Sequence, residues 1–248
     1  MPSVPATVAT HDGTCPVTLH TPNGSGPWSG VVMYPDAGGV RPTFDDMADT
    51  LAGFGYAVLL PDVYYRHGDW QPFSMATAFS DPKERTRLFG MIGSLTQDMI
   101  TADAGAFLDF LANRPEVHGD RFGVCGYCMG GRISVIVAGR EPERVAAAGS
   151  IHGGGLVTER PDSPHLLADR MTGTVYVGAA ENDASFTADQ AEILDKALAA
   201  AGVPHTIETY HAAHGFAVPD NEPYNAQAAE RHWLALQRLF EATLPGPG

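Results

Sequence analysis

The chain predicts an α/β fold in which a mostly parallel central sheet is covered by helices on both faces. Three observations lead there. Strand-like and helix-like segments alternate, short apolar runs stop at turn residues such as Pro35-Asp36 and Pro61-Asp62, and a glycine-rich junction, Gly126-Tyr127-Cys128-Met129-Gly130-Gly131, joins a strand to a helix. With 248 residues, 44% of them hydrophobic, the chain is long enough for one large domain with a buried core, spanning 1–248, and short for two.

The elements follow in order. Pro16 to Thr21 reads as an early antiparallel edge strand. Gly30 to Tyr34 is an apolar run closed by Pro35-Asp36, and Thr43 to Phe54 sets Phe44, Met47, Leu51 and Phe54 at helical spacing until Gly55 ends the helix. Tyr56 to Leu60 is the next buried strand, stopped by Pro61-Asp62. Val63 to about Pro82 is irregular, aromatic and rich in turn residues, which places it on the surface near the functional end of the sheet. Asp98 to Ala112 is a helix with Ile100, Ala104, Phe107 and Leu108 on one face, Arg121 to Cys125 a short strand, and Arg132 to Ala138 a helix buried on most sides. Strands at Val145 to Ile151 and Thr174 to Val177, a helix from Ala188 to Ala201, a strand from His205 to Tyr210 and a helix from about Pro223 to Thr243 complete the alternation. The closing Pro245-Gly246-Pro247-Gly248 reads as a frayed tail.

Charge and cysteine content narrow the function. A formal net charge of −14, with lysine only at Lys83 and Lys196, argues against nucleic acid or an anionic membrane as partner, because both would repel the chain. Three cysteines, Cys15, Cys125 and Cys128, are too few and too odd a set for a secreted disulfide framework and suit a reducing cytoplasm. The N-terminus lacks a basic region followed by an apolar stretch, and no window is apolar enough to span a bilayer, so a soluble, unprocessed cytoplasmic protein is expected. A monomer or small homo-oligomer is expected, a state that composition does not set.

Cys128 carries the chemistry. It lies in the sharp turn between strand and helix, a nucleophile elbow in which side chains two positions before and after would collide with neighbouring elements. Gly126 and Gly130 remove those collisions, and the amide of Met129, in the first helical turn, is free to donate to an oxyanion. Cys125-Gly126-Tyr127-Cys128 is also a Cys-x-x-Cys motif of the redox type. A redox pair needs Cys125 accessible, whereas Cys125 falls inside the strand.

A thiol at an elbow needs a base, and His214 follows the strand ending at Tyr210, in a loop leaving the carboxyl end of the strand, where ligands gather in open α/β sheets. Asp183 follows the preceding strand and is the candidate acid, with Glu181 and Asp189 as alternatives. The order nucleophile, acid, histidine matches the α/β-hydrolase arrangement. His211 and His214 share an H-x-x-H spacing, but no third ligand accompanies them, so no metal and no cofactor are expected. His152-Gly153-Gly154-Gly155 resembles an oxyanion-hole sequence of some esterases, yet it follows the nucleophile instead of preceding it. It reads as a turn near the pocket, with His152 touching substrate. The second oxyanion amide is assigned to Ala37, in the loop after Tyr34.

Together these residues resemble the dienelactone hydrolase family of α/β-hydrolases over nearly the whole chain. The resemblance rests on Gly126 to Gly131, Leu60-Pro61-Asp62-Val63-Tyr64, Asp183 and His214-Gly215-Phe216. It implies that Cys128 attacks a lactone or ester carbonyl, that His214 moves the proton and Asp183 orients it, and that water releases the acyl group from sulfur. It also implies a thiol-modulating carboxylate at Asp36, where the family carries the longer glutamate. An arginine expected shortly after the histidine is replaced by Val218, leaving Arg85 or Arg87 to hold a substrate carboxylate. Tyr64, with Tyr65, Trp70 and Phe73, is expected to fold over the site. The expected substrate is a small-molecule ester or lactone. Two alternatives stay open: a thiol redox protein using Cys125 and Cys128, and a hydrolase-fold binding protein without turnover.

Overall fold

The computed structural model describes residues 1–245; the tail glycines and Pro247 expected to fray lie outside the described residues. Eight strands form one sheet: β1 (Ser3–Thr10), β2 (Gly13–His20), β3 (Trp28–Tyr34), β4 (Tyr56–Pro61), β5 (Val117–Tyr127), β6 (Val145–Ile151), β7 (Thr174–Ala180) and β8 (His205–Tyr210). Their spatial order is β1-β2-β4-β3-β5-β6-β7-β8. The pairings of β1 with β2 and of β2 with β4 are antiparallel, and the rest are parallel.

Parallel strands buried on both faces read as continuous apolar runs, which is how β3, β4 and β6 were legible. The edge is different. β2 is the second strand, not the edge; β1 lies outside it, and its mostly exposed residues give no apolar run. Pro5 is tolerated there because an edge strand leaves one row of backbone groups unpaired.

The helices are α1 (Pro42–Gly53), α2 (Pro82–Ser94), α3 (Gln97–Ala112), α4 (Met129–Arg140), α5 (Ala188–Ala200) and α6 (Ala226–Thr243). Local signals start them: Asp81 caps α2, Thr96 caps α3, and Thr187 with Gln190 forms a capping box on α5. Two apolar cores lie on opposite faces of the sheet. One joins Phe107, Leu111, Ile133 and Leu194 from α3, α4 and α5, and the other joins Phe44, Leu51, Leu236 and Phe240 from α1 and α6. Among the described residues no helix is long and apolar enough to cross a membrane.

The chain leaves β3 toward β4 on one side and returns at β5 on the other, so the strand order reverses between β3 and β5. Loops leaving such a pair in opposite directions open a crevice at the carboxyl ends of the strands. Ala37 follows β3 and Cys128 follows β5, which brings both to that crevice.

Candidate active site

Cys128 has φ 53° and ψ −112°, a backbone conformation that costs a non-glycine residue about 1–3 kcal/mol. The glycines around it explain how the turn closes. A Cβ on Gly126 would stand 2.3 Å from the Gly130 backbone, and one on Gly130 would stand 2.3 Å from the Tyr34 carbonyl oxygen. Any side chain at either position would force α4 away from β5 or from β3. The turn leaves Cys128 partly exposed, whereas Cys125 is fully buried in β5. Burial pushes the Cys125 thiol well above its ordinary pKa, and all three cysteines are free. The exposed and reactive first cysteine that a redox pair requires is absent from this arrangement.

Cys128 and His214 line one cavity of about 320 Å³, together with Asp36, Ala37, Met75 and Phe79. His214 Nδ1 lies 2.7 Å from Asp183 Oδ2. Burial disfavours the imidazolium, but hydrogen bonds to Asp183 and to Cys128 outweigh it and raise the His214 pKa to about 10. Burial likewise works against the Asp183 carboxylate, and the His214 and Ser185 hydrogen bonds overcome it, holding Asp183 below its ordinary value. Ser185 donates from both its amide (2.8 Å) and its hydroxyl (2.7 Å) to Asp183 Oδ1, so both carboxylate oxygens are used and the acid cannot rotate freely. Ser185 escaped the sequence reading, although a serine two residues after an aspartate is a common turn signature. Glu181 is turned to His211, 3.3 Å away, and does not serve His214. His211 is therefore not paired with His214 around a common centre.

The oxyanion candidates are linked by one side chain. The buried Tyr64 hydroxyl lies 3.0 Å from the Ala37 carbonyl oxygen and 3.3 Å from the Met129 sulfur. Tyr64 thus holds the two loops together from behind and does not line the cavity, contrary to the substrate contact expected of it. Met129 opens α4, so its amide has no intrahelical acceptor.

Three further expectations change. Asp36 reaches the cavity wall, but its carboxylate is taken up by partners other than the thiol. Arg41 Nη1 and Nη2 donate to it at 2.7 and 3.0 Å, the Gly38 amide at 2.9 Å and Asn221 at 3.3 Å. Arg41 is in turn clamped by Asp220 at 2.7 and 2.8 Å, and its acceptors raise its pKa despite burial. Arg87 lies over the Phe73 ring at 3.7 Å and pairs with Glu84, while Arg85 is exposed on α2; neither lines the cavity. Arg87 is held by Phe73, Glu84 and the Gln71 carbonyl oxygen, and Arg85 points to solvent, so neither guanidinium is directed to the cavity.

His152 is buried beneath His214, ring centroids 5.1 Å apart, and also meets Phe216 and Tyr127. Burial holds it neutral, with its pKa well below the ordinary value. It packs against the His214 ring from inside and does not line the cavity. Val218 is fully buried in the core rather than pointing to a ligand.

The chain as a whole resembles known proteins. A match to the dienelactone hydrolase family covers residues 15–244. A carboxymethylenebutenolidase from Rhodococcus opacus is 28% identical over 240 residues, covering 94% of this chain and 88% of that one. A dienelactone hydrolase-like promiscuous phosphotriesterase from metagenomic libraries superposes with TM-score 0.78 at 26% identity, covering 98% of this chain and 99% of that chain. A dienelactone hydrolase from Anabaena variabilis shares the fold, with TM-score 0.68, 18% identity and coverage of 98% and 99%.

Proposed function

The chain belongs to the dienelactone hydrolase family, and on that premise we propose that it cleaves a small ester or lactone with Cys128 as nucleophile, His214 as base and Asp183 as orienting acid. The observation that carries this reading is the 2.7 Å bond to Asp183 Oδ2 from Nδ1 of His214, the histidine that lines one cavity with Cys128. With Nδ1 donating to Asp183, the Nε2 atom accepts the thiol proton. The thiolate then attacks the carbonyl carbon, and the oxyanion that forms is met by the amides of Met129 and Ala37. Collapse breaks the carbon–oxygen bond, and His214 returns its proton to the leaving alkoxide, leaving a thioester on Cys128. Water, deprotonated by His214, attacks that thioester, so the acid departs and the thiol is restored.

Met75, Ala76, Phe79 and Pro223 form the apolar part of the cavity wall, which suits a compact acyl or ring substrate. The scheme uses only side chains and backbone amides. A reducing cytoplasm suits a mechanism that depends on a free thiol.

The test is direct. Cys128→Ala should abolish turnover with the fold unchanged, Cys128→Ser should keep at most a weak esterase activity, and a haloacetamide should label Cys128 alone. Turnover surviving in Cys128→Ala, with labelling at Cys15 or Cys125, would remove the proposed nucleophile. Tight ligand binding without any acyl-enzyme would instead favour a binding protein on the same fold.

A further inference from the structure

A second cavity, of about 220 Å³, is lined in part by Gly155, at the end of the His152 to Gly155 turn, and does not include Cys128 or His214. Its polar lining comprises Thr96, Gln97, Arg132, Thr158, Arg160 and Asp162. Arg132 is the unusual member. Every other arginine that is not exposed donates to at least one acceptor: Arg41, Arg66, Arg87, Arg114, Arg121, Arg140 and Arg144 all have carbonyl, amide or carboxylate partners. Among the described residues Arg132 has none, and its Nε is buried without an acceptor. Its Nε donor is buried and unmet, while its Nη groups, which are not buried, are free to meet an oxyanion. Burial holds its pKa below the ordinary value, while Cys128 draws it up and Arg160 pushes it down.

We propose that this cavity binds a small oxyanion, a carboxylate or phosphate group, with Arg132 as its principal contact. Arg160 supplies a second cation, partly spent on Asp162 at 2.9 Å. Gln97 opens α3, a helix of 16 residues, so the positive end of its dipole also faces the cavity. In a chain of net charge −14, an anion can be retained only where such a local cation outweighs the general field.

The place of Arg132 ties the cavity to the nucleophile. Its amide donates to the Cys128 carbonyl oxygen at 3.2 Å, one helical turn on. Only the glycine turn separates it from the base: a Cβ on Gly155 would lie 3.7 Å from Arg132 Cδ, and one on Gly154 would lie 3.9 Å from His214 Cε1. The oxyanion can therefore be the acid group of a substrate seated at Cys128, or a free anion.

Calorimetric titration with inorganic phosphate, in low-salt zwitterionic buffer, tests the site on the intact chain. Wild type should bind, Arg132→Gln should bind about tenfold more weakly or worse, and Arg132→Lys should recover part of the loss. Arg160→Gln, on an exposed side chain, should weaken binding about threefold and serves if Arg132→Gln misfolds. Enzyme capped at Cys128 by iodoacetamide should still bind phosphate. No binding by wild type, unchanged affinity in either glutamine variant, or loss of binding on capping would each overturn the proposal.

Kinetics separates the two sources, and this arm alone rests on the proposed hydrolase activity. If the oxyanion belongs to the substrate, phosphate and Arg132→Gln should both raise KM for a chromogenic ester bearing a carboxylate and spare its methyl ester. Equal behaviour of the two esters, with phosphate binding retained, assigns the site to a free anion.

Discussion

Two carboxylates stand near the cavity of Cys128 and differ in what remains free: Asp36 lines it directly, whereas Asp183 reaches it only through His214. Asp183, after β7, and Asp36, after β3, are both buried, and each lies 2.7 Å from a nitrogen of its partner. Asp36 is matched to a permanent cation that Asp220 also clamps, so its charge is neutralised whatever occupies the cavity. Asp183 is matched to an imidazole whose side chain is about 32% exposed and whose charge changes with its contact to Cys128. A carboxylate paired with a titratable, accessible ring can take part in proton transfer. One paired with a buried guanidinium holds a loop.

The largest effect expected from this contrast is at Asp183. Asp183→Asn keeps the volume but removes the acceptor that selects the His214 tautomer, so kcat should fall by about ten-thousandfold with little change in unfolding midpoint. Full activity in that variant would erase the distinction between the two acids.

Asp36→Asn should do the reverse. It leaves Arg41 buried with only Asp220, and should cost about 3 kcal/mol in chemical denaturation, the low end for a broken buried pair because one partner remains. Its kcat should change by less than about tenfold. A larger catalytic loss with unchanged stability would return Asp36 to the thiol.

A pH series sharpens the contrast. Because the His214 pKa is raised to about 10 in the fold from 6.5, the stability it contributes is complete below 6.5 and is lost as pH rises toward 10. The depressed Asp183 contributes stability above its unfolded value of 3.8 and loses it as pH falls below that. The difference in melting temperature between wild type and His214→Gln should therefore shrink between pH 6.5 and 10. Cys128→Ala, which removes one of the contacts that raise the histidine, should end that decline at lower pH. No pH dependence in the difference would mean that the pair does not carry charge in the fold.

The smallest effect concerns the apolar wall. Phe79 stands about half exposed at the cavity and packs edge-on against Phe89, 6.4 Å between centroids. Phe79→Ala should raise KM for the bulkier of two neutral esters by about fivefold and leave kcat near wild type, a loss of uniform apolar binding. An equal fall in kcat would place Phe79 in the chemistry.

By itself the sequence determined the alternating α/β plan and the elbow. Buried parallel strands and amphipathic helices carry local signatures, and the collisions at Gly126 and Gly130 follow from any turn that tight. The placement of Cys128, Asp183 and His214 in loops after β5, β7 and β8 was readable for the same reason, since each lies within four residues of the end of its strand. β1 was not readable, because an exposed edge strand has no apolar run to announce it. Tertiary structure alone decided which charges meet. Arg41 finds Asp220 from 179 residues away, Arg87 is spent on Glu84 and Phe73, and Arg132 Nε has no acceptor among the described residues. An ion pair between distant segments needs neither periodicity nor a turn signal, so only the packing of β3, α4 and the loop before α6 could assign these arginines.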